Sequence, residues 1–472
     1  MTTTTPSPTP IAEHPRMTVI GTGYLGATHA ICMAILGYDV LGVDVDERKV
    51  AELNAGRVPF YEPGLPEQLT LALASGRLSF TTDFDRAAEF GDVHFICVGT
   101  PQAPGSDAAD LRYVESAFSS LASRITRKAL LVGKSTVPIG TAARLTELVH
   151  EISPLGSELE LAWNPEFLRE GYAVQDTLHP DRMVFGVASE WAEAQLRAAF
   201  RPILDDGTPV VVADLPTAEL VKVAANSFLA TKISYINAMA EVCEATGADV
   251  NVLATALGYD DRIGSRFLKP GLGFGGGCLP KDIRAFKFRA EELGVGQAVS
   301  FLGEVDAINI RRRVRTVDLI RELAGGDLTG VRVAALGAAF KPNSDDVRDA
   351  PALDVARMLY LEGAIVTVYD PEANTNAHKI FPDLDYVDSL VEAVADAQVV
   401  ALLTEWDEFR LADPSMLGEL VANRRIVDGR HALDADGYRA AGWEYRALGR
   451  PHTSPTVALV EHASDAVTLQ RA

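Results

Sequence analysis

From Met17 the chain alternates short β-rich runs with helix-length segments: MTVIG, DVLGVD, VHFICVGTP, ALLVGKSTVP, LELAWNPEF, MVFGV and PVVVAD. Strands separated by helices predict a parallel sheet with helices on both faces. After a largely helical interval the alternation resumes with VRVAALG, AIVTVYD, AQVVALLT, RRIVDG and WEYRALG. The expectation is an α/β protein: two Rossmann-like doubly wound domains joined by a long central helix. That helix is PTAELVKVAANSFLATKISYINAMAEVCEATG, running from Pro216 to Cys243 or beyond, with Asp214 or Thr217 as cap and Gly247 as stop. The divisions expected are a disordered tail over 1–15, a first domain over 16–215, a helical linker over 216–325, a second domain over 326–450 and a flexible tail over 451–472.

Composition narrows the class. Hydrophobic residues make up 47% and charged residues 23%, and no apolar run approaches the roughly 20 residues that cross a bilayer. The start, MTTTTPSPTPIAEHP, lacks the basic and apolar segments of a signal peptide, which predicts a cytoplasmic protein without a membrane partner. The four cysteines (Cys32, Cys97, Cys243, Cys278) are far apart and form no CxxC, so free thiols are expected and no metal site. A net charge of −22 disfavours nucleic acid as a partner, and an anionic ligand must rely on a few cations inside a cleft.

In VIGTGYLG, Gly21, Gly23 and Gly26 stand between an apolar strand and a helical run that Tyr24 and Leu25 open, and Asp44 closes the next strand. Strand, glycine turn, helix, strand and acid in that order form a dinucleotide site, with the pyrophosphate at the helix N-terminus and the acid on the ribose hydroxyls. A carboxylate there repels a 2′-phosphate, so the expected cofactor is NAD. Lys49 is expected near the adenosine end. Asp370 closes AIVTVYD as Asp44 closes DVLGVD, but the second domain lacks the full glycine pattern.

Cys278 lies in RFLKPGLGFGGGCLPKD, after Gly271, Gly273, Gly275, Gly276 and Gly277 and before Lys281 and Asp282. The glycines are expected to admit a ligand to the backbone, and the neighbouring positive charge to favour a thiolate. Lys222 and Asn226, four apart, should share a face of the central helix.

Together with CVGTP, GKSTVPIGT, NPEFLREG, LVKVAANSFLATK, AFKPNSDDVRD and VDGR, these segments resemble the UDP-glucose/GDP-mannose dehydrogenase family from about Met17 to Arg450. The resemblance implies a four-electron oxidation of a sugar alcohol to a carboxylate with two NAD, through a thioester on a cysteine. It implies Cys278 as nucleophile, Lys222 as oxyanion stabiliser or acid/base group, and Asp282 and Glu166 as the carboxylates that orient or activate water. Asn226 and Thr136 complete the catalytic set. It places Thr100, Thr136 and Glu170 near the nicotinamide, with Lys281 and Arg348 also at the cofactor. To the nucleotide sugar it assigns Glu166, Phe167, Leu168, Arg169, Glu170, Lys222, Asn226, Arg262, Phe267, Lys269, Phe274, Gly275, Phe340, Lys341 and Arg430.

The loop has Gly277 where Ser is frequent in the UDP-glucose branch and Leu279 where Phe is frequent, whereas NSFLATKISYIN, GYDDRIGSRFL and TEWDEF resemble that branch. UDP-glucose is therefore expected ahead of GDP-mannose or a UDP-N-acetylhexosamine. A two-electron hydroxyacid or sugar-phosphate dehydrogenase shares the Rossmann start and long helix but has no use for Cys278, and a non-enzymatic nucleotide-binding regulator gains nothing from a reactive thiol. Apolar residues on several faces of the central helix (Leu220, Phe228, Ile233, Ile236, Val242) predict a homodimer or higher homo-oligomer.

Overall fold

A computed structural model describes residues 14–451 of the chain. Nearly all of both predicted tails lies outside the described residues. Two sheets carry the architecture. The first contains β1 (Met17–Ile20), β2 (Val40–Val43), β3 (Leu78–Thr81), β4 (Val93–Ile96), β5 (Leu130–Gly133), β6 (Glu160–Trp163), β7 (Met183–Gly186) and β8 (Val210–Ala213) in the order β3-β2-β1-β4-β5-β6-β7-β8. The second contains β9 (Arg332–Leu336), β10 (Ile365–Tyr369), β11 (Asp385–Tyr386), β12 (Val399–Leu402), β13 (Arg425–Asp428) and β14 (Glu444–Ala447) in the order β11-β10-β9-β12-β13-β14.

Every residue of β1, β2, β4 and β5 is buried, as expected of parallel strands covered by helices on both faces. The order reverses between β1 and β4, and again between β9 and β12, leaving beside the carboxyl ends of the strands the crevice where such sheets bind ligands. The second sheet is parallel throughout, but the first is not. β7 meets β6 antiparallel through the single pair Trp163 and Gly186, so β7 and β8 run against the first six strands. The segment between β6 and β7 holds only the six-residue helix Ala173–Leu178 and does not make a full crossover.

The spine helix, Leu215–Thr246, follows β8 directly. Asp214 caps it by accepting from Thr217 N at 2.8 Å, Pro216 occupies the first turn, and Gly247 ends it at φ 76°. Two further helices pack on it: a cysteine helix, Leu279–Glu292, and a bracing helix, Phe301–Ala324, tied in by Ser234 Oγ donating to Val305 O at 2.7 Å. The spine also reaches into the first domain. Buried Glu219 accepts from Gly140 N at 2.7 Å and Ala142 N at 2.6 Å, capping the helix Thr141–Ile152, which has no cap of its own.

Candidate active site

At the glycine turn, Gly21 has φ 87°, and a Cβ on Gly26 would stand 1.7 Å from Gly21 O. Helix Tyr24–Ile35 starts at Gly23 with no side-chain cap and no acidic residue in its first turn, and nothing lies within 4 Å of where a Gly23 Cβ would point. An uncapped N-terminus facing open space fits a pyrophosphate. Asp44 is held below the usual carboxylate range. Burial opposes its charge, but Thr22, Asp46 and Lys49 outweigh it. Its Oδ2 accepts from Thr22 N at 2.8 Å, Thr22 Oγ1 at 2.9 Å and Lys49 Nζ at 3.1 Å, and among the described residues its Oδ1 takes only Asp46 N at 3.1 Å. Oδ1 is therefore the oxygen with capacity for a ribose, and Lys49 holds the acid instead of standing alone.

The spine places Lys222 and Asn226 on one buried face, one turn apart. Lys222 Nζ is 3.0 Å from Glu166 Oε1, while Glu166 Oε2 accepts from Leu168 N at 2.8 Å. Asn226 donates to Asp282 Oδ2 at 2.7 Å, and Lys281 Nζ reaches Asp282 Oδ1 at 2.6 Å and Thr100 Oγ1 at 3.4 Å. Thr100 in turn donates to Thr136 O at 2.7 Å. Burial works to lower the Lys222 pKa, but Glu166, Cys278 and Asp282 raise it on balance, so Lys222 is an ammonium.

Cys278 is the exposed thiol among the four free cysteines. It sits at the N-cap of the cysteine helix, where the helix dipole favours an anion. The expected thiolate is nonetheless corrected. Although the residue opens to the cleft, protein packed round the sulfur and the charges of Asp282 and Glu166 outweigh Lys222 and Lys281, and the thiol is pushed up to about 11.

The glycines before it also need a new explanation. A Cβ on Gly273 would lie 2.1 Å from Asn309 Oδ1, on Gly275 2.3 Å from Asp349 O, on Gly276 2.8 Å from the Phe340 ring and on Gly277 2.3 Å from the Arg348 guanidinium. They admit other parts of this protein rather than a ligand. Phe274 turns inward, packing with Ala230, Ile283, Leu302 and Val305. Arg430 gives its guanidinium to the backbone oxygens of Leu403, Gly273 and Phe340 at 2.7, 3.1 and 3.2 Å, so it braces the loop.

Across the cleft, Arg348 grips Asp346 and reaches Glu170 Oε1 at 3.3 Å. Burial and the Asp346 charge push Glu170 up to about 7. Tyr24 donates to Asp345 at 2.5 Å, joining the glycine-turn helix to the second domain. Lys341, its pKa lowered by burial against the pull of Glu170 and Glu62, makes no hydrogen bond or ion pair among the described residues and sits 5.2 Å from the Phe340 ring centre. Arg182 stands 3.8 Å and Lys222 5.4 Å from the Phe167 ring centre.

Other expected ligands are held elsewhere. Arg169 pairs with Asp176 at 2.7 Å, and Arg262, 88% exposed, pairs with Asp260 at 2.6 Å. Phe267 (φ 64°) and Lys269 are exposed on the same segment as Arg262. Sequence reasoning missed Glu62, Glu219, Asn237 and Asn309. Buried Glu62 accepts from Gly171 N and Ala173 N at 2.7 and 2.8 Å just beyond Glu170, and Asn237 accepts from Gly271 N at 2.9 Å. A carboxylate beside a loop motif, or an amide inside an apolar helix, was the available signal.

A dinucleotide cleft closed by a cysteine-bearing loop and a buried lysine–carboxylate cluster defines a dinucleotide-dependent dehydrogenase. The sequence matches the UDP-glucose/GDP-mannose dehydrogenase family in three parts: the NAD binding domain over 15–204, the central domain over 216–311 and the UDP binding domain over 334–435. It is 40% identical over 438 residues to the UDP-glucose 6-dehydrogenase of Rhizobium meliloti, covering 92% of this chain and 100% of that one. It is also 40% identical over 435 residues to that of Rickettsia conorii, covering 92% and 99%. A solved UDP-glucose dehydrogenase from Pyrobaculum islandicum superposes with a TM-score of 0.85 at 38% identity, over 94% of this chain and 100% of that one. The chain belongs to the UDP-glucose/GDP-mannose dehydrogenase family and takes NAD as cofactor.

Proposed function

We propose that this enzyme oxidises UDP-glucose to UDP-glucuronate in two oxidation steps, through a thiohemiacetal and then a thioester on Cys278. The observation that carries the reading is the placement of Cys278 at a helix N-terminus within the charge field of Lys222, Asp282 and Glu166. NAD, when bound, accepts the hydride in each oxidation.

The protein supplies the remaining functions. Lys222, an ammonium in a water-poor setting, stabilises the oxyanion that develops on C6. Glu166 and Asp282 are the carboxylates available to take the alcohol proton and to orient water. Asn226 holds one Asp282 oxygen and Lys281 the other, so that carboxylate keeps a fixed direction. Burial pushes the Cys278 thiol up, so it gives up its proton as it attacks the aldehyde: the S–C bond forms, the carbonyl π bond opens and the carbonyl oxygen takes a proton. Water later cleaves the thioester, restoring the thiol and leaving the carboxylate. Lys341, with no hydrogen bond or ion pair among the described residues, is the cation available to meet the anionic nucleotide.

UDP-glucose is favoured over UDP-N-acetylhexosamines because the relatives bearing its name match at 40% identity, while a UDP-D-ManNAc dehydrogenase from Pyrococcus horikoshii matches at 27% with a TM-score of 0.81. The test is NADH counted per sugar acid across a panel of UDP- and GDP-sugars, with Cys278→Ser alongside. UDP-glucose should give two NADH per acid. The variant should bind NAD and UDP-glucose but turn over several orders of magnitude more slowly, the serine being a weaker nucleophile and its ester slower to leave. One NADH per sugar, or near-normal acid release by the variant, would overturn the reading.

A further inference from the structure

The bracing helix carries a wholly buried amide that the chemistry above does not use. Asn309 is 0% exposed, and both ends of its side chain are spent on one residue of the cysteine loop. Oδ1 accepts from Phe274 N at 2.7 Å and Nδ2 donates to Phe274 O at 2.9 Å. The amide thus imitates one rung of a β-ladder, and Phe274, four residues before Cys278, is locked in direction as a strand neighbour would lock it. Only a neutral amide does this: a carboxylate lacks the donor, and burying it beside Phe274 O would set two acceptors against each other.

The neighbouring contacts make the fix directional. A Cβ on Gly273 would stand 2.1 Å from Asn309 Oδ1, so glycine there lets the amide close on the loop. One turn along, Arg313 approaches Phe274 O at 3.4 Å and pairs with Asp349 at 2.9 Å. Past Phe274, Gly276 N donates to Arg348 O at 2.9 Å, and the chain then enters the helix that Cys278 begins. The Phe274 ring packs on Ile283 of that helix. A change of direction at Phe274 therefore moves the thiol.

We infer that Asn309 is the positioning residue that aims Cys278 at the aldehyde carbon, so that thiol addition outruns escape of the aldehyde. The inference rests on the thioester reading of Cys278. The step at stake forms one S–C bond, takes the proton from the thiol and gives one to the carbonyl oxygen, with no oxidant. A misaimed thiol leaves the first oxidation intact but lets the aldehyde leave and hydrate in solution. More than two NADH then form for each carboxylate.

The test measures that ratio in Asn309→Asp and, should that variant not fold, in Asn309→Ser, with circular dichroism and NAD binding checked for each. Acid release should fall by about 100-fold, the scale of a misplaced reacting group, while the ratio climbs well above two and free aldehyde is trapped by a hydrazine. Ser234→Ala, which loosens the same helix pair away from the loop, should keep the ratio at two. A ratio of two in a folded Asn309 variant overturns the proposal, whether turnover is normal or reduced in step with the folded fraction. Cys278→Ser in the same assay separates the two readings, since acid made by it with two NADH removes the thioester itself.

Discussion

Asp44 and Asp370 close the same turn in the two sheets with different consequences. Asp370 accepts from Ala338 N, Ala339 N and Trp406 Nε1 on one oxygen and from Glu372 N and Ala373 N on the other, so it is consumed in holding its own loop. Asp44 keeps capacity on Oδ1. Replacing Asp44 by Ser removes a charge whose repulsion of a 2′-phosphate is worth about 1–4 kcal/mol at contact distance. It also frees Lys49, now 3.1 Å from Asp44, to meet that phosphate. We expect kcat/KM for NADP to rise by about tenfold or more and that for NAD to fall; an unchanged NADP/NAD ratio would refute the assignment. The position of Asp44 at a strand end, of Cys278 after a glycine run and of Lys222 on one helix face with Asn226 was legible in the sequence. The high thiol pKa, and the commitment of Arg430 to carbonyl oxygens, were not: both depend on neighbours from distant segments, which no local pattern encodes.

At the scale of elements, the spine's limits were legible because Asp214, Pro216 and Gly247 are chemical punctuation. The reversal of β7 was hidden because an apolar run such as MVFGV carries no mark of strand direction. Hidden too was Glu219, which looks like an ordinary helix-surface acid one turn before Lys222. In the fold it is the acceptor for Gly140 N and Ala142 N, at the junction of the loop after Thr136 and the helix Thr141–Ile152, and so ties that junction to the spine. Glu219→Ala leaves both donors buried without a partner, at about 1–3 kcal/mol each, and the thermal midpoint should drop by several degrees. Burial pushes the Glu219 carboxyl up to about 7 from its ordinary 4.5, so the native state favours the protonated form. Its contribution is complete below 4.5 and is lost as the pH rises through about 7. The stability difference between wild type and Glu219→Ala should therefore shrink from pH 5 to pH 8, and a difference that grows over that interval would contradict the assignment.

For the whole molecule, the exposed face of the spine decides what the chain does in company. Of the five apolar positions expected to form an interface, Ile236 is wholly buried and Ile233 packs towards Phe274, so neither is available. Phe228, Tyr235 and Val242 are 67, 51 and 52% exposed and recur every seven residues, and thus form one stripe along the helix. Ile310 and Val314 of the adjoining bracing helix are 46 and 48% exposed, and Leu220 is 41% exposed near the start of the spine. Soluble monomers rarely leave so long an apolar stripe in water, and a two-fold axis across the helix would bury it against its own copy, aromatic on aliphatic. We propose a homodimer on this face. Light scattering at micromolar concentration should give twice the 50.6 kDa of one chain. Phe228→Asp combined with Tyr235→Asp places two charges in the stripe where burial would leave them unpaired, and should give folded monomers with unchanged circular dichroism. A wild-type monomer, or a double variant that stays dimeric, would show that the stripe is not the interface.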